Sequence, residues 1–493
     1  MIKRYAPQLI FFFFFWISIL LLYLPTNGLF KNQYDDSYIT YRYAVNLAEG
    51  KGLVFNAHER ADSASSFSYT VLLALIYKGG VSSLEMVGAI IGLLSAVGVS
   101  YFVYRSIIFL TNHQFIAYFF GYVTGLHGFI SGWAISGMET TFFTFLIMMF
   151  VYYYFFQKNS SRLLHTILLI LILLTRMEGV ILGGIWFLSE VITQVKLSKK
   201  DRWKTFLIQS ILLGIVFSVF YIFKYVYYGG VVSTAVAFKR IATYYLPDPK
   251  NVLLVWGGTS VVVSLLATYA VFPKLFKTYG PLILYILLSF ISVLIGPHSD
   301  GARYSIHLLP ILMIFAGYGL TQLFKKRKQL AIVIGLLIVL QTLLSTFVVR
   351  SAMVRLIADQ TCRFKIANYI ATHVSHNTII LSGDLGMIAY MSPSNQFIDI
   401  SGLTSNDILT QYQHKDTLDP ILLKRKPGIL ADTFEENRGR LDHKLLTNQV
   451  EHISNQKIYS HLFSSPQVFA QPLYTCKNNE RTFAVINITS VYK

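Results

Sequence analysis

Long apolar runs punctuated by short charged loops fill the first 350 residues, and their lengths predict membrane-crossing helices. About twenty helical residues cross roughly 30 Å of hydrocarbon. Segments of that length or somewhat shorter lie near 8–29, 84–108, 115–132, 138–156, 164–175, 178–193, 205–227, 252–272, 280–296, 304–323 and 329–349, about eleven in all. The first contains five phenylalanines at 11–15 and follows Lys3 and Arg4. It ends in Leu24-Pro25-Thr26-Asn27 with no small-residue cleavage site, so it reads as an uncleaved signal anchor.

The stretch 164–193 could be one long helix. Thr175-Arg176-Met177-Glu178-Gly179 would then put two charges deep in hydrocarbon, so two short helices are expected. With the N-terminus cytoplasmic, the inner loops hold Lys158 and Arg162; Lys196, Lys199, Lys200, Arg202 and Lys204; Lys274 and Lys277; and Lys325, Lys326, Arg327 and Lys328. This agrees with the positive-inside rule, with Lys31 and Lys239 as exceptions. The C-terminal part then lies outside the cytoplasm.

Polar content rises from about residue 351. Short apolar runs at 378–381 and 396–400 read as strands between helices, which predicts a soluble α/β domain over 351–493. Asp384 and Asp399 at the strand ends read as turn formers. No zinc-type spacing, P-loop or dinucleotide-binding glycine pattern occurs.

Composition supports the membrane reading. The chain is 54% hydrophobic and only 13% charged, too little charge to cover a soluble protein of this size. Its net charge of +18 would suit nucleic acid, but many of the basic residues sit in short loops between apolar helices, where they set orientation. No nucleic-acid partner is expected.

The same topology gathers carboxylates at the outer face: Asp35, Asp36, Glu49, Glu59, Asp62, Glu139, Glu178, Asp248 and Asp300. The loop over 31–68 opens with Asp35-Asp36, and from Tyr38 onward its apolar spacing predicts an amphipathic interfacial helix, which the two aspartates would cap. Further charged segments are Gly137-Met138-Glu139-Thr140, Arg176-Met177-Glu178, Tyr227-Tyr228-Gly229-Gly230 leading to Lys239, and Gly301-Ala302-Arg303-Tyr304. Each singly also fits snorkelling or bundle pairing.

In order, these segments resemble the GT-C glycosyltransferases, and among them the arabinofuranosyltransferase-like branch of the mycobacterial cell wall. The first is the most specific: Asp35-Asp36-Ser37-Tyr38-Ile39, Arg42-Tyr43, Asn46-Leu47, Gly50, then Gly52-Leu53-Val54-Phe55-Asn56. The likeness extends to Ser382-Gly383-Asp384-Leu385-Gly386 and to the segment 398–404. It lapses at 61–70, which reads ADSASSFSYT where relatives carry a Val-Glu-Gly-Tyr-like stretch, and this bears on sugar or acceptor preference.

The resemblance implies a polytopic helical membrane domain over 1–350 of GT-C type, with the α/β domain beyond it. It implies a sugar donor on a polyprenyl phosphate and a glycan or glycolipid acceptor. It makes Asp35 or Asp36 the base, with Arg42, Glu139, Arg176, Glu178, Lys239 and Arg303 as substrate-binding residues. The aspartate pair also has the chemistry to hold a divalent cation beside a phosphate, although no full ligand set is visible. A transporter or flippase for a lipid-linked envelope precursor is the competing class, and a glycan-binding scaffold is a third. The absence of an internal helix repeat and the one-sided charges favour the enzyme. Finally, Cys362 and Cys476 both fall in the outer domain, where one intramolecular disulfide is permitted.

Overall fold

A computed structural model of the chain describes residues 33–57, 59–157, 160–197, 200–241, 249–270, 275–296, 301–414, 416, 418–437, 440–443, 472–478 and 481–491. The expected first segment, 8–29, lies outside the described residues. The chain divides into two compact units. One comprises Met1–Phe30, Glu85–Tyr221 and Pro247–Met353; the other comprises Lys31–Leu84, Ile222–Leu246 and Val354–Lys493. The loop expected to belong with the membrane helices is therefore grouped with the C-terminal residues.

Among the described residues, seven helices are long and apolar enough to cross a membrane: Leu84–Thr111, Gly179–Lys196, Trp203–Tyr228, Val252–Ala270, Phe276–Ile295, Arg303–Lys326 and Lys328–His373. Other expected spans are shorter or interrupted. The span near 115–132 breaks at His127 into Gln114–Leu126 and Gly128–Ala134, because His127 leaves the helical conformation (φ -56°, ψ 126°) and its imidazole accepts the Phe129 amide. The next runs Thr140–Val151 and loosens into a π turn at Tyr152–Phe156. The expected split is present: Arg162–Thr175 stops at an extended Arg176, and Gly179–Leu197 follows.

The first unit's helices pack around Phe102, Phe120, Ile147, Phe150 and Phe315. Pro249–Ala270 and Leu309–Lys326 pack together; a Cβ at Gly319 would stand 2.8 Å from the Leu266 carbonyl oxygen. Along Lys200–Tyr228, Leu207, Ile211, Ile215 and Val219 recur at helical spacing and remain exposed. Such a stripe is matched by lipid rather than water.

Among its described residues, the second unit holds a six-stranded sheet: β1 (Ile379–Ser382), β2 (Gln396–Asp399), β3 (Ile429–Asn437), β4 (Arg440–His443), β5 (Tyr474–Lys477) and β6 (Thr482–Asn487). The order is β2-β1-β3-β6-β5, with β4 on β3. The two apolar runs read as strands are β1 and β2, paired in parallel from Ile379–Gln396 to Ser382–Asp399. Both sheet faces are covered, which is why these strands are apolar throughout rather than alternating. Leu381, Ile398, Leu430 and Ile486 face the helices Asn406–His414 and Asp419–Arg425. Ile380, Phe397, Ile429 and Val485 pack with Tyr43, Phe55, Ile366 and Leu385.

The helix after Asp35 differs from expectation. Asp35–Ala48 starts at the aspartates, so they occupy its first turn while Tyr34 takes the cap position without a side-chain cap bond. Tyr38, Tyr41, Tyr43 and Ala44 are all buried, because the helix is packed against Phe67–Lys78 and Leu385–Met391. Cys362 and Cys476 are joined in a disulfide with Cα atoms 5.4 Å apart.

Candidate active site

In the second unit, Asp35 is held by groups distant in sequence. Its Oδ2 accepts the Gly386 amide and its Oδ1 the Met387 amide, each at 3.0 Å. The Arg363 guanidinium lies 3.8 Å away and forms a 2.8 Å ion pair with Asp384. Asp384 also accepts from the Thr433 hydroxyl. Burial holds the Asp35 carboxyl above its ordinary value of 3.8, against the pull of Arg363. Its side chain is still 19% exposed, so the carboxylate remains within reach of another molecule. Asp36 follows, half-buried, in the same turn.

Arg42 sits deeper than a ligand contact requires. Its guanidinium donates to the carbonyls of Phe55 (2.8 Å), Asn395 (3.2 Å) and Ala389 and lies between the Phe55 and Phe397 rings. It thereby fastens the Asp35–Ala48 helix to the segment joining β1 and β2. Lys224 pairs with Asp62 at 2.7 Å, the hydroxyls of Tyr227 and Tyr228 bond the backbone of Leu53, and Arg425 joins Glu59 to Asp407. These contacts order the loop that carries Asp35. Asp399 behaves as a turn former: it accepts the amides of Ser401 (2.8 Å) and Thr404 (2.7 Å), and burial raises its carboxyl to about 6.

In the first unit, Glu139, Arg176 and Glu178 form one cluster. Arg176 donates to Glu139 and Glu178 at 2.7 Å each, and all three are largely buried. Its guanidinium lies 4.9 Å from the Tyr304 ring centre. Arg303 stacks 5.6 Å from the Trp133 ring and 5.8 Å from that of Tyr304, so it joins the same group. Nearby, an apolar cavity of about 310 Å³ is lined by Leu253, Trp256, Ile286, Phe290 and Leu312, among others. Lys239 falls in the Thr234–Ile241 helix, and its side chain lies outside the described residues.

Arg363 and His307 were missed in the sequence. Arg363 sits beside Cys362 in a polar helical stretch that carries no motif. His307 does have a signal, standing four residues after Arg303 and hence on the same side of a helical path. Among the described residues, no group of three or more His, Cys, Asp or Glu side chains gathers as a metal site.

The arrangement can be compared with known proteins. Across 97% of this chain and 98% of theirs, two solved structures match with a TM-score of 0.56: ArnT from Cupriavidus metallidurans bound to undecaprenyl phosphate, at 13% identity, and the same protein in the apo state, at 12%. The fold is that of the GT-C glycosyltransferases. A family described as "Domain of unknown function (DUF8728)" matches residues 352–480. No curated protein matches in sequence. The chain is thus a multi-pass helical membrane protein of GT-C fold with a small C-terminal sheet.

Proposed function

We propose that this protein is a polyprenyl-phosphate-sugar-dependent glycosyltransferase that moves a hexosyl or pentosyl unit to a cell-envelope glycan or glycolipid. The observation that carries the reading is the Asp35 carboxylate. Two backbone amides fix its orientation, each oxygen keeps a lone pair, and burial strengthens its hold on a proton. That is the equipment of a general base.

The step balances as a displacement at the anomeric carbon. Asp35 takes the proton of the acceptor hydroxyl, whose oxygen forms the new bond to the sugar. The bond from that carbon to the phosphate oxygen breaks, and polyprenyl phosphate leaves with the electron pair. Positive charge from Arg303 and Lys239 stabilises the departing phosphate. Glu139 and Glu178 hold Arg176 in place by ion pairs. The apolar cavity suits a prenyl chain, and the ArnT structure with undecaprenyl phosphate supports a donor of that type. Between Asp35 and Asp36 we assign the base to Asp35 and a supporting role to Asp36.

The loop charges favour a multi-pass protein of the cell (inner or plasma) membrane, with a cytoplasmic N-terminus and the C-terminal domain outside. The motif order from Asp35 to Asn56 favours the arabinofuranosyltransferase-like branch. Mass spectrometry of envelope glycans from a deletion strain tests the function. One sugar residue should vanish and return with the wild-type protein but not with Asp35→Asn; an unchanged glycan profile would overturn the assignment.

A further inference from the structure

The membrane unit carries polar atoms that the displacement above does not use. Glu139 is 1% exposed; its Oε1 meets Arg176, while its Oε2 has no hydrogen-bond partner among the described residues. Thr140 Oγ1 and His307 Nε2 are likewise buried without a partner among the described residues. Unmatched polar groups inside an apolar bundle are costly, so atoms of this kind mark places where another molecule supplies the bonds.

The three lie together. Phe143 is one helical turn beyond Thr140 on the same face, and its ring lies 5.6 Å from that of His307 and 5.8 Å from the Arg176 guanidinium. Arg176 is committed to Glu139 and Glu178, so the cluster does not offer its guanidinium to a phosphate. Apart from Arg303, which the displacement uses, the cluster keeps a carboxylate oxygen that accepts, a hydroxyl that does either, and an imidazole nitrogen that does either. The carboxylate disfavours a phosphate, and none of the three has anything for a prenyl chain. It suits neighbouring hydroxyl groups.

We propose that Glu139, Thr140 and His307 form a subsite that hydrogen-bonds the hydroxyls of a sugar in the reaction. This rests on the glycosyltransferase reading and adds to it the place where the sugar is recognised. Discrimination follows, because a subsite built to bond hydroxyls rejects a sugar that lacks them.

The test uses full-length protein in nanodiscs, with the variants Thr140→Val and His307→Phe. Valine keeps the shape of threonine, and phenylalanine suits a pocket walled by Phe143 and, at 5.7 Å, Tyr285. Binding is measured for undecaprenyl phosphate, for the same lipid carrying a pentose or a hexose, and for an oligosaccharide acceptor. Each variant should lose about fivefold in affinity for a sugar-bearing probe, with binding of the bare lipid unchanged. A loss confined to the lipid-linked sugar assigns the subsite to the donor, and one confined to the oligosaccharide assigns it to the acceptor. If both variants bind every sugar-bearing probe as the wild type does, the subsite is overturned and the glycosyltransferase reading stands. If the wild type binds none of the probes, that reading falls and the subsite with it.

Discussion

Asp35 and Gly386 stand 351 positions apart, yet the Gly386 amide donates to Asp35 Oδ2 at 3.0 Å. A Cβ added at position 386 would stand 2.6 Å from that same oxygen and closer still to the Asp35 carbonyl oxygen. Only glycine leaves the carboxylate room to reach the amide.

Gly386→Ala should therefore displace Asp35 and act on catalysis and stability together. Overpacking of this kind costs about 1–3 kcal/mol, and misplacing a base by about 1 Å costs on the order of 100-fold in turnover. Turnover and thermal unfolding of the variant check this. A variant with wild-type turnover would show that the Asp35–Gly386 contact does not position the base.

Asp35→Asn should reduce turnover by about 100- to 10,000-fold, the usual range for a lost general base. The amide also turns an N–H toward one of two backbone donors, so some stability is lost; the protein should still insert. Asp36→Asn should be milder. If Asp36→Asn abolishes transfer and folded Asp35→Asn does not, the base is Asp36. If both retain near-normal turnover, neither is the base.

Turnover should also respond to pH in a defined direction. Burial raises the Asp35 carboxyl above 3.8, so as the proposed base it should protonate, and activity fall, at a pH higher than for an exposed aspartate. The same shift opposes stability, because the folded form binds the proton more tightly. This contribution weakens the fold as pH rises through the window between 3.8 and the raised value. A pH–rate profile with its acid limb at or below the ordinary aspartate range would contradict the burial of this group.

The Cys362–Cys476 bond joins the Lys328–His373 helix to β5, next to Arg363. A crosslink spanning 114 positions stabilises by about 4–5 kcal/mol in chain-entropy terms, an upper figure. Cys362→Ser should lower the unfolding temperature and reduce activity through the displaced Arg363. Thiol labelling of unreduced protein from intact cells should find neither cysteine free. Two free thiols would reject the bond and weaken the placement of this unit outside the cytoplasm.

The helices were legible because apolar length is written directly in the sequence, and Arg176 with Glu178 marked the break between two of them. The strands β1 and β2 were legible as short apolar runs. The hold on Asp35 was not, because its partners are backbone amides, which no residue type announces, and an arginine without a motif. The buried setting of Arg42 was hidden for the same reason: three of its partners are carbonyl oxygens. His307 carried a faint helical spacing from Arg303, but its burial against Phe143 follows only from the packing of two helical segments far apart in sequence.

The most direct test of the central claim is a transfer assay. Purified protein in nanodiscs is given an undecaprenyl-phosphate-linked pentose or hexose and an oligosaccharide acceptor, and both products are followed by mass spectrometry. The predicted result is an acceptor extended by one sugar with release of an equal amount of undecaprenyl phosphate, both lost in Asp35→Asn. Movement of the intact lipid-linked sugar across the bilayer of reconstituted vesicles, with no extended acceptor from any donor tried, would contradict it.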